Sequence, residues 1–153
     1  MKNIPTSAVP YQESFNFYHP ITVRYADLDP QQHVNNATVV TYIESARMGY
    51  YQAVGIWDGQ SFERFGMVVA NLHIDYLAPI RFGQAVRVGL GVHHMGNKSM
   101  RFRFRMEDST SGKSLARGEV IMVAYDPQSE RSIPIPADWR EKIETFEKRG
   151  TEK

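Results

Sequence analysis

The spacing of apolar residues along this chain changes at one point, and the change separates a strand-like segment from a helical one. Ile21-Thr22-Val23-Arg24-Tyr25 alternates apolar and polar positions, the period of a half-buried strand. A polar, proline-containing turn follows from Asp27 to Asn35. From there Val39, Ile43, Ala46, Tyr50 and Val54 recur at steps of three and four, and Val40, Met48 and Tyr51 widen the stripe. This predicts a helix over Ala37 to Val54, apolar on most of its circumference and therefore buried. Asn35 or Asn36 is placed to cap its start and Gly55 to end it.

Beyond Met67 the signals are those of strands rich in Val, Ile, Phe and Tyr: Met67 to Leu77, Ala85 to His94, Met100 to Asp108 and Ser114 to Tyr125. Turn-like joints separate them, at Ala78 to Gln84, Met95 to Lys98 and Ser109 to Lys113. Consecutive strands joined this way are expected to be antiparallel neighbours. Trp139, Ile143 and Phe146 mark a short amphipathic helix after Pro136, with Asp138 in its first turn where a carboxylate favours the dipole. Residues Met1 to Tyr18 read as an irregular arm and 148–153 as a frayed tail. Strand, long helix, four strands and short helix make an α+β layout, one domain over residues 1–153 in which an antiparallel sheet wraps one long helix.

Composition narrows the classes. A chain of 153 residues forms a stable core without staples, and 42% hydrophobic with 23% charged residues is the mixture of a globular protein. Cysteine is absent, which excludes a disulfide scaffold, thiolate zinc sites, iron–sulfur clusters and a Cys nucleophile. The formal charge of +1 supplies no net field toward nucleic acid. With no run of about 18 apolar residues and no secretory-type leader, the expectation is a cytoplasmic protein without a membrane span.

The stretch from Tyr25 to Asn36 is where chemistry is expected. A carboxylate-bearing loop runs straight into the start of a buried helix, whose first amides have no intrahelical partner and sum with the macrodipole into a site for negative charge. Acyl transfer needs donors aimed where a carbonyl oxygen becomes an oxyanion, and a nucleophile or base on the other side, where the loop can place Asp29. Asp27 is as readily a turn cap or half of an exposed pair, Tyr25 a strand-end packing residue, and Glu44 and Arg47, three apart on the helix, a simple ion pair. The histidines show no metal-site spacing, so no metal is expected. Phosphate-binding glycine loops and the Gly-x-Ser-x-Gly elbow are missing.

Together Tyr25, Asp27 and Asp29, His33-Val34-Asn35-Asn36, Glu44-Ser45-Ala46-Arg47 and Gly55 resemble the hot-dog-fold acyl-CoA thioesterases of the 4-hydroxybenzoyl-CoA thioesterase type, including the Tol–Pal-associated branch. The likeness runs on through Asp75-Tyr76-Leu77-Ala78-Pro79 and Ile133-Pro134, roughly residues 20 to 147. It implies a hot-dog fold and hydrolysis of an acyl-CoA thioester, with Asp29 as nucleophile or general base and the backbone N–H of Asn36 polarising the carbonyl. Tyr25 matches a site tyrosine of the Tol–Pal branch, whereas Asn36 stands where that branch has histidine. The resemblance also implies a homodimer or homotetramer with sites at the subunit interface, and no cofactor, coenzyme A being part of the substrate.

Arg101-Phe102-Arg103-Phe104-Arg105 alternates at the strand period, placing guanidinium groups on one face and rings on the other. One reading is a solvated face over a packed one. The other gives the coenzyme A phosphates to Arg101 and Arg103, with Lys98. Two rivals to acyl-CoA hydrolysis stay open: a hot-dog domain that binds acyl-CoA or acyl carrier protein without turning it over, and a hydrolase of acyl carrier protein thioesters.

Overall fold

The computed structural model describes Gln12 and residues 14–149. Most of the expected arm and tail, at residues 1–11, 13 and 150–153, lies outside the described residues. In chain order the elements are β1 (Tyr18–Ile21), a 3-10 turn (Tyr25–Asp27), α1 (Asn36–Val54), β2 (Met67–Tyr76), β3 (Val86–Met95), β4 (Ser99–Asp108), β5 (Ser114–Asp126), β6 (Arg131–Ser132) and α2 (Ala137–Lys148). The sheet is antiparallel in the order β1-β3-β4-β5-β2, with β6 added to β5.

The long helix and the four strands fall within about a residue of their expected bounds. Asn35 caps α1 by accepting the Ala37 N–H at 2.8 Å, and Gly55 closes it at φ 92°, a left-handed conformation that suits glycine. Three expectations fail. The first strand is Tyr18–Ile21, starting at the last residue of the supposed arm and ending where the strand was expected to begin, and the alternation after it ends in the 3-10 turn. There the short Asp27 side chain turns back onto the Arg24 N–H at 2.9 Å, a local bond that competes with extension into a strand. Lys148 belongs to α2 rather than to a tail. Finally, β2 and β3 are consecutive but not neighbours: β2 pairs with β5 and β3 with β1, at opposite ends of the sheet. The segment between them is a crossover, with Ile80 buried under the Asp29 loop and its carbonyl accepting the Val34 N–H at 2.8 Å.

The core lies between α1 and one sheet face. Along β4 and β5 the inward positions Met100, Phe102, Met106 and Val120 are buried, and they alternate with outward Arg101, Arg103 and Glu119. Tyr50 meets Phe17, Phe102 and Phe146 edge to face, with centroids 5.8, 5.2 and 5.5 Å apart. Gly49 lets the helix approach β1, since a Cβ there would lie 2.7 Å from the His19 ring. Only one side of α1 is buried, however. Thr41, Glu44, Ser45 and Gln52 are exposed and Val40 and Met48 half-buried, so the sheet covers less of the helix than its apolar pattern predicts. The inward residues of β2 stay half-buried or exposed for the same reason.

Candidate functional site

The two aspartates of the loop have separate tasks. Asp27 is 3% exposed; it accepts the Tyr42 hydroxyl at 2.5 Å and the Arg24 guanidinium at 2.9 and 3.1 Å, and its carbonyl accepts the Asn35 N–H at 2.9 Å. It is a brace between the loop and α1. Burial pushes its carboxyl pKa up, but the hydrogen bonds from Tyr42 and from the Arg24 backbone and side chain outweigh that and hold it below the ordinary value. Tyr42, opposite it, is pushed well up by burial and by the carboxylate.

Asp29 is half-buried and faces a cavity of about 290 Å³ that it shares with Asn36, Val39 and Tyr76. One carboxylate oxygen accepts the Gln31 N–H at 2.8 Å and the His33 N–H at 3.3 Å, while the other has no partner among the described residues. The loop reaches this shape through Gln32 at φ 65°, with the Asp29 N–H on the His33 carbonyl at 2.8 Å. The Asn36 N–H, first of the helix, has no acceptor among the described residues; the Asn35 cap engages Ala37 instead. The cavity therefore brings together Asp29 and Asn36, the residue whose N–H stands unused at the positive end of a nineteen-residue helix.

Tyr76 is a site residue that the chemical reading did not single out. Its hydroxyl donates to the Asn36 carbonyl at 2.9 Å, tying the end of β2 to the start of α1. Tyr42 was missed too, and its signal was a tyrosine in place of phenylalanine on a buried face, which calls for a hydroxyl partner. Tyr25 does not join the cavity within the chain: the 3-10 turn leaves it 76% exposed against Phe82, with ring centroids 6.4 Å apart. Arg101 and Arg103 lie on the outer sheet face and Lys98 in the β3–β4 hairpin, and none of them borders the Asp29 cavity. Arg101 pairs with Glu119 at 3.1 Å. Glu44 and Arg47 do not pair, Glu44 being exposed and Arg47 buried. Among the described residues no group of three or more His, Asp or Glu could hold a metal ion, and no helix is long and apolar enough to cross a membrane.

A family model described as the thioesterase-like superfamily matches residues 23–143, four-fifths of the chain. The chain belongs to that superfamily. A thioesterase from Thermus thermophilus, solved with coenzyme A and zinc, is 34% identical, with TM-score 0.75 over 89% of this chain and 97% of that one. A predicted thioesterase from Bacillus stearothermophilus is 29% identical, with TM-score 0.77 over 85% and 95%. Among curated proteins, the long-chain acyl-CoA thioesterase FadM of Escherichia coli K12 is 24% identical over 84% of this chain and 97% of its own length. The fold is thus the hot-dog fold of thioesterases.

Proposed function

We propose that this chain hydrolyses acyl-CoA thioesters at the cavity shared by Asp29 and Asn36. The observation that carries the reading is the pairing of a half-free carboxylate with an unused helix-start amide. The amide and the dipole behind it stabilise negative charge on the carbonyl oxygen as the carbon becomes tetrahedral. Asp29, held by two amides on one oxygen, presents the other to the carbonyl carbon or to a water molecule beside it.

Two routes are open to that oxygen. As a nucleophile it forms an acyl–aspartyl anhydride while the C–S bond breaks and coenzyme A leaves as the thiolate; water then cleaves the anhydride to the acid and restores Asp29. As a general base it takes a proton from water as the hydroxide adds, and the collapsing intermediate expels the thiolate. Label from water recovered in the Asp29 carboxylate after a single turnover identifies the anhydride route, with water adding to the aspartyl carbonyl. The name of the FadM relative favours a long acyl chain. The free edge of β2, with Val68 and Val69 exposed, is proposed to pair with a second copy, forming at least a dimer. Lys98, Arg101 and Arg103, none of which borders the site within one chain, are proposed to reach the coenzyme A phosphates from another copy.

Thiol release from short, long and aromatic acyl-CoAs tests the proposal, and the cysteine-free chain adds no background to a thiol reagent. Turnover by the wild type that falls roughly a hundredfold or more in a folded Asp29→Asn variant supports it. Binding of acyl-CoA without release would move the chain to the non-catalytic reading, and release from acyl carrier protein alone to that rival substrate.

A further inference from the structure

Arg47 is a buried cation without a counter-ion. It is 5% exposed on the face of α1 that carries Ile43 and Tyr50, makes no ion pair among the described residues, and its Nε has no hydrogen-bond partner. The buried Tyr51 hydroxyl is the polar group set beside it, close enough for the guanidinium to favour the phenolate electrostatically but without a well-formed hydrogen bond. A guanidinium out of water with no counter-ion is among the costliest arrangements in a fold. Both side chains border a cavity of about 350 Å³ whose wall is largely apolar, with Met48, Phe65 and Met122, and with Glu44 at its border.

This cavity is in line with the site. Arg47 follows Asn36 by eleven residues on α1, about 16 Å along the axis and about 20° around it. Val40, half-buried, and Glu44 lie between them on the same stripe. Opposite, β2 turns Tyr76, Ile74, Leu72 and Val69 to the helix side of the sheet, in register with Ala116, Gly118, Val120 and Met122. Tyr76 borders the Asp29 cavity at one end, and Met67 and Val69 border the Arg47 cavity at the other. The two cavities thus lie at opposite ends of the strip between this side of α1 and β2, with Val40, Leu72 and Ile74 between them.

We propose that the Arg47 cavity receives a carboxylate at the far end of the acyl chain, so that the substrates of this chain are thioesters of α,ω-dicarboxylic acids. The proposal rests on the hydrolysis reading at Asp29. Guanidinium matches carboxylate in a bidentate pair, and the Tyr51 hydroxyl adds a donor. Glu44 is exposed and its charge is screened by water, whereas a pair at Arg47 is screened much less. A methyl-ended chain leaves Arg47 as uncompensated as before.

Coenzyme A thioesters of plain and ω-carboxylated fatty acids, matched in length from medium to long, are compared in wild type, Arg47→Met and Arg47→Lys. At the preferred length the wild type is expected to favour the ω-carboxylated chain in kcat/KM by roughly tenfold or more. The ratio falls toward one in Arg47→Met and is partly kept in Arg47→Lys. A wild type that prefers the methyl-ended chain at every length overturns the proposal while leaving thioester hydrolysis standing, and needs no variant to fold. Thermal shift with free dicarboxylates and monocarboxylates of equal length reads the site apart from turnover. Selective stabilisation by the dicarboxylate, lost in Arg47→Met, supports the carboxylate site even where no thioester is cleaved, and then only the hydrolysis reading fails. Equal stabilisation by the two acids, or an Arg47→Met variant whose defect is dissociation of the oligomer, overturns it in favour of a plain chain or a second copy's carboxylate.

Discussion

The Tyr42 hydroxyl on the buried face of α1 donates to the Asp27 carboxylate at 2.5 Å, and this bond sets where Asp29 stands. One residue separates the two aspartates. Because Asp27 is held inward by Tyr42 and Arg24, the chain turns at Leu28 and presents Asp29 to the cavity at the helix start.

Removing the brace is therefore expected to act on stability first. Asp27→Asn loses the charged acceptor of four hydrogen bonds and is expected to cost about 1.5 to 3 kcal/mol, and Tyr42→Phe about 1 to 2. The folded carboxyl has its pKa below the ordinary 3.8, so its contribution is complete above that value and is lost as pH falls through the lowered one. Urea unfolding at neutral pH and at about pH 3 checks both statements: the deficit of Asp27→Asn shrinks in acid.

Glu147 supplies the opposite sign. It accepts the Tyr50 hydroxyl at 2.5 Å and the Val92 N–H at 3.1 Å, fastening α2 to α1 and β3. Burial raises its carboxyl pKa above the ordinary 4.5, against the pull of those two bonds. The folded chain binds this proton more tightly than the unfolded one, so stability falls as pH rises from 4.5 through the raised value. Glu147→Gln removes that slope in a pH series of thermal melts. Glu147→Leu, which orphans the tyrosine and the amide, is expected to lose about 1 to 3 kcal/mol.

Tyr76→Phe removes the bond to the Asn36 carbonyl but little packing. Stability is expected to change by less than about 1 kcal/mol, while kcat falls several-fold as the helix start loosens. Paired unfolding and steady-state measurements separate the two effects.

What could be read along the chain was what local chemistry decides. The Asn35 cap and the Gly55 stop of α1 depend on neighbours a few residues away, and so did the placing of Asp29 beside Asn36. Tyr25 was misplaced because the Asp27 turn overrides alternation, a contest between two local signals that periodicity alone does not resolve. The crossover from β2 to β3 was read as a turn because its proline and glycine look the same in either setting; which edge β2 takes is decided by pairing with β5, a long-range choice. Arg47 was read as half of an ion pair for a similar reason, since helical spacing puts Glu44 near it without saying that one is buried and the other exposed.

The backbone of Asn36 gives the most direct test of the catalytic account. Proline is tolerated at the first helical position, and Asn35 at φ −58° and ψ 139° already has the conformation required before it. Asn36→Pro thus deletes the proposed oxyanion donor with little disturbance to the helix, while Asn36→Ala keeps it. Thiol release by the two variants, with circular dichroism as the check on folding, should show Asn36→Ala within a few-fold of wild type and Asn36→Pro lower in kcat by roughly a hundredfold or more. A folded Asn36→Pro variant that turns over as fast as Asn36→Ala would contradict the account.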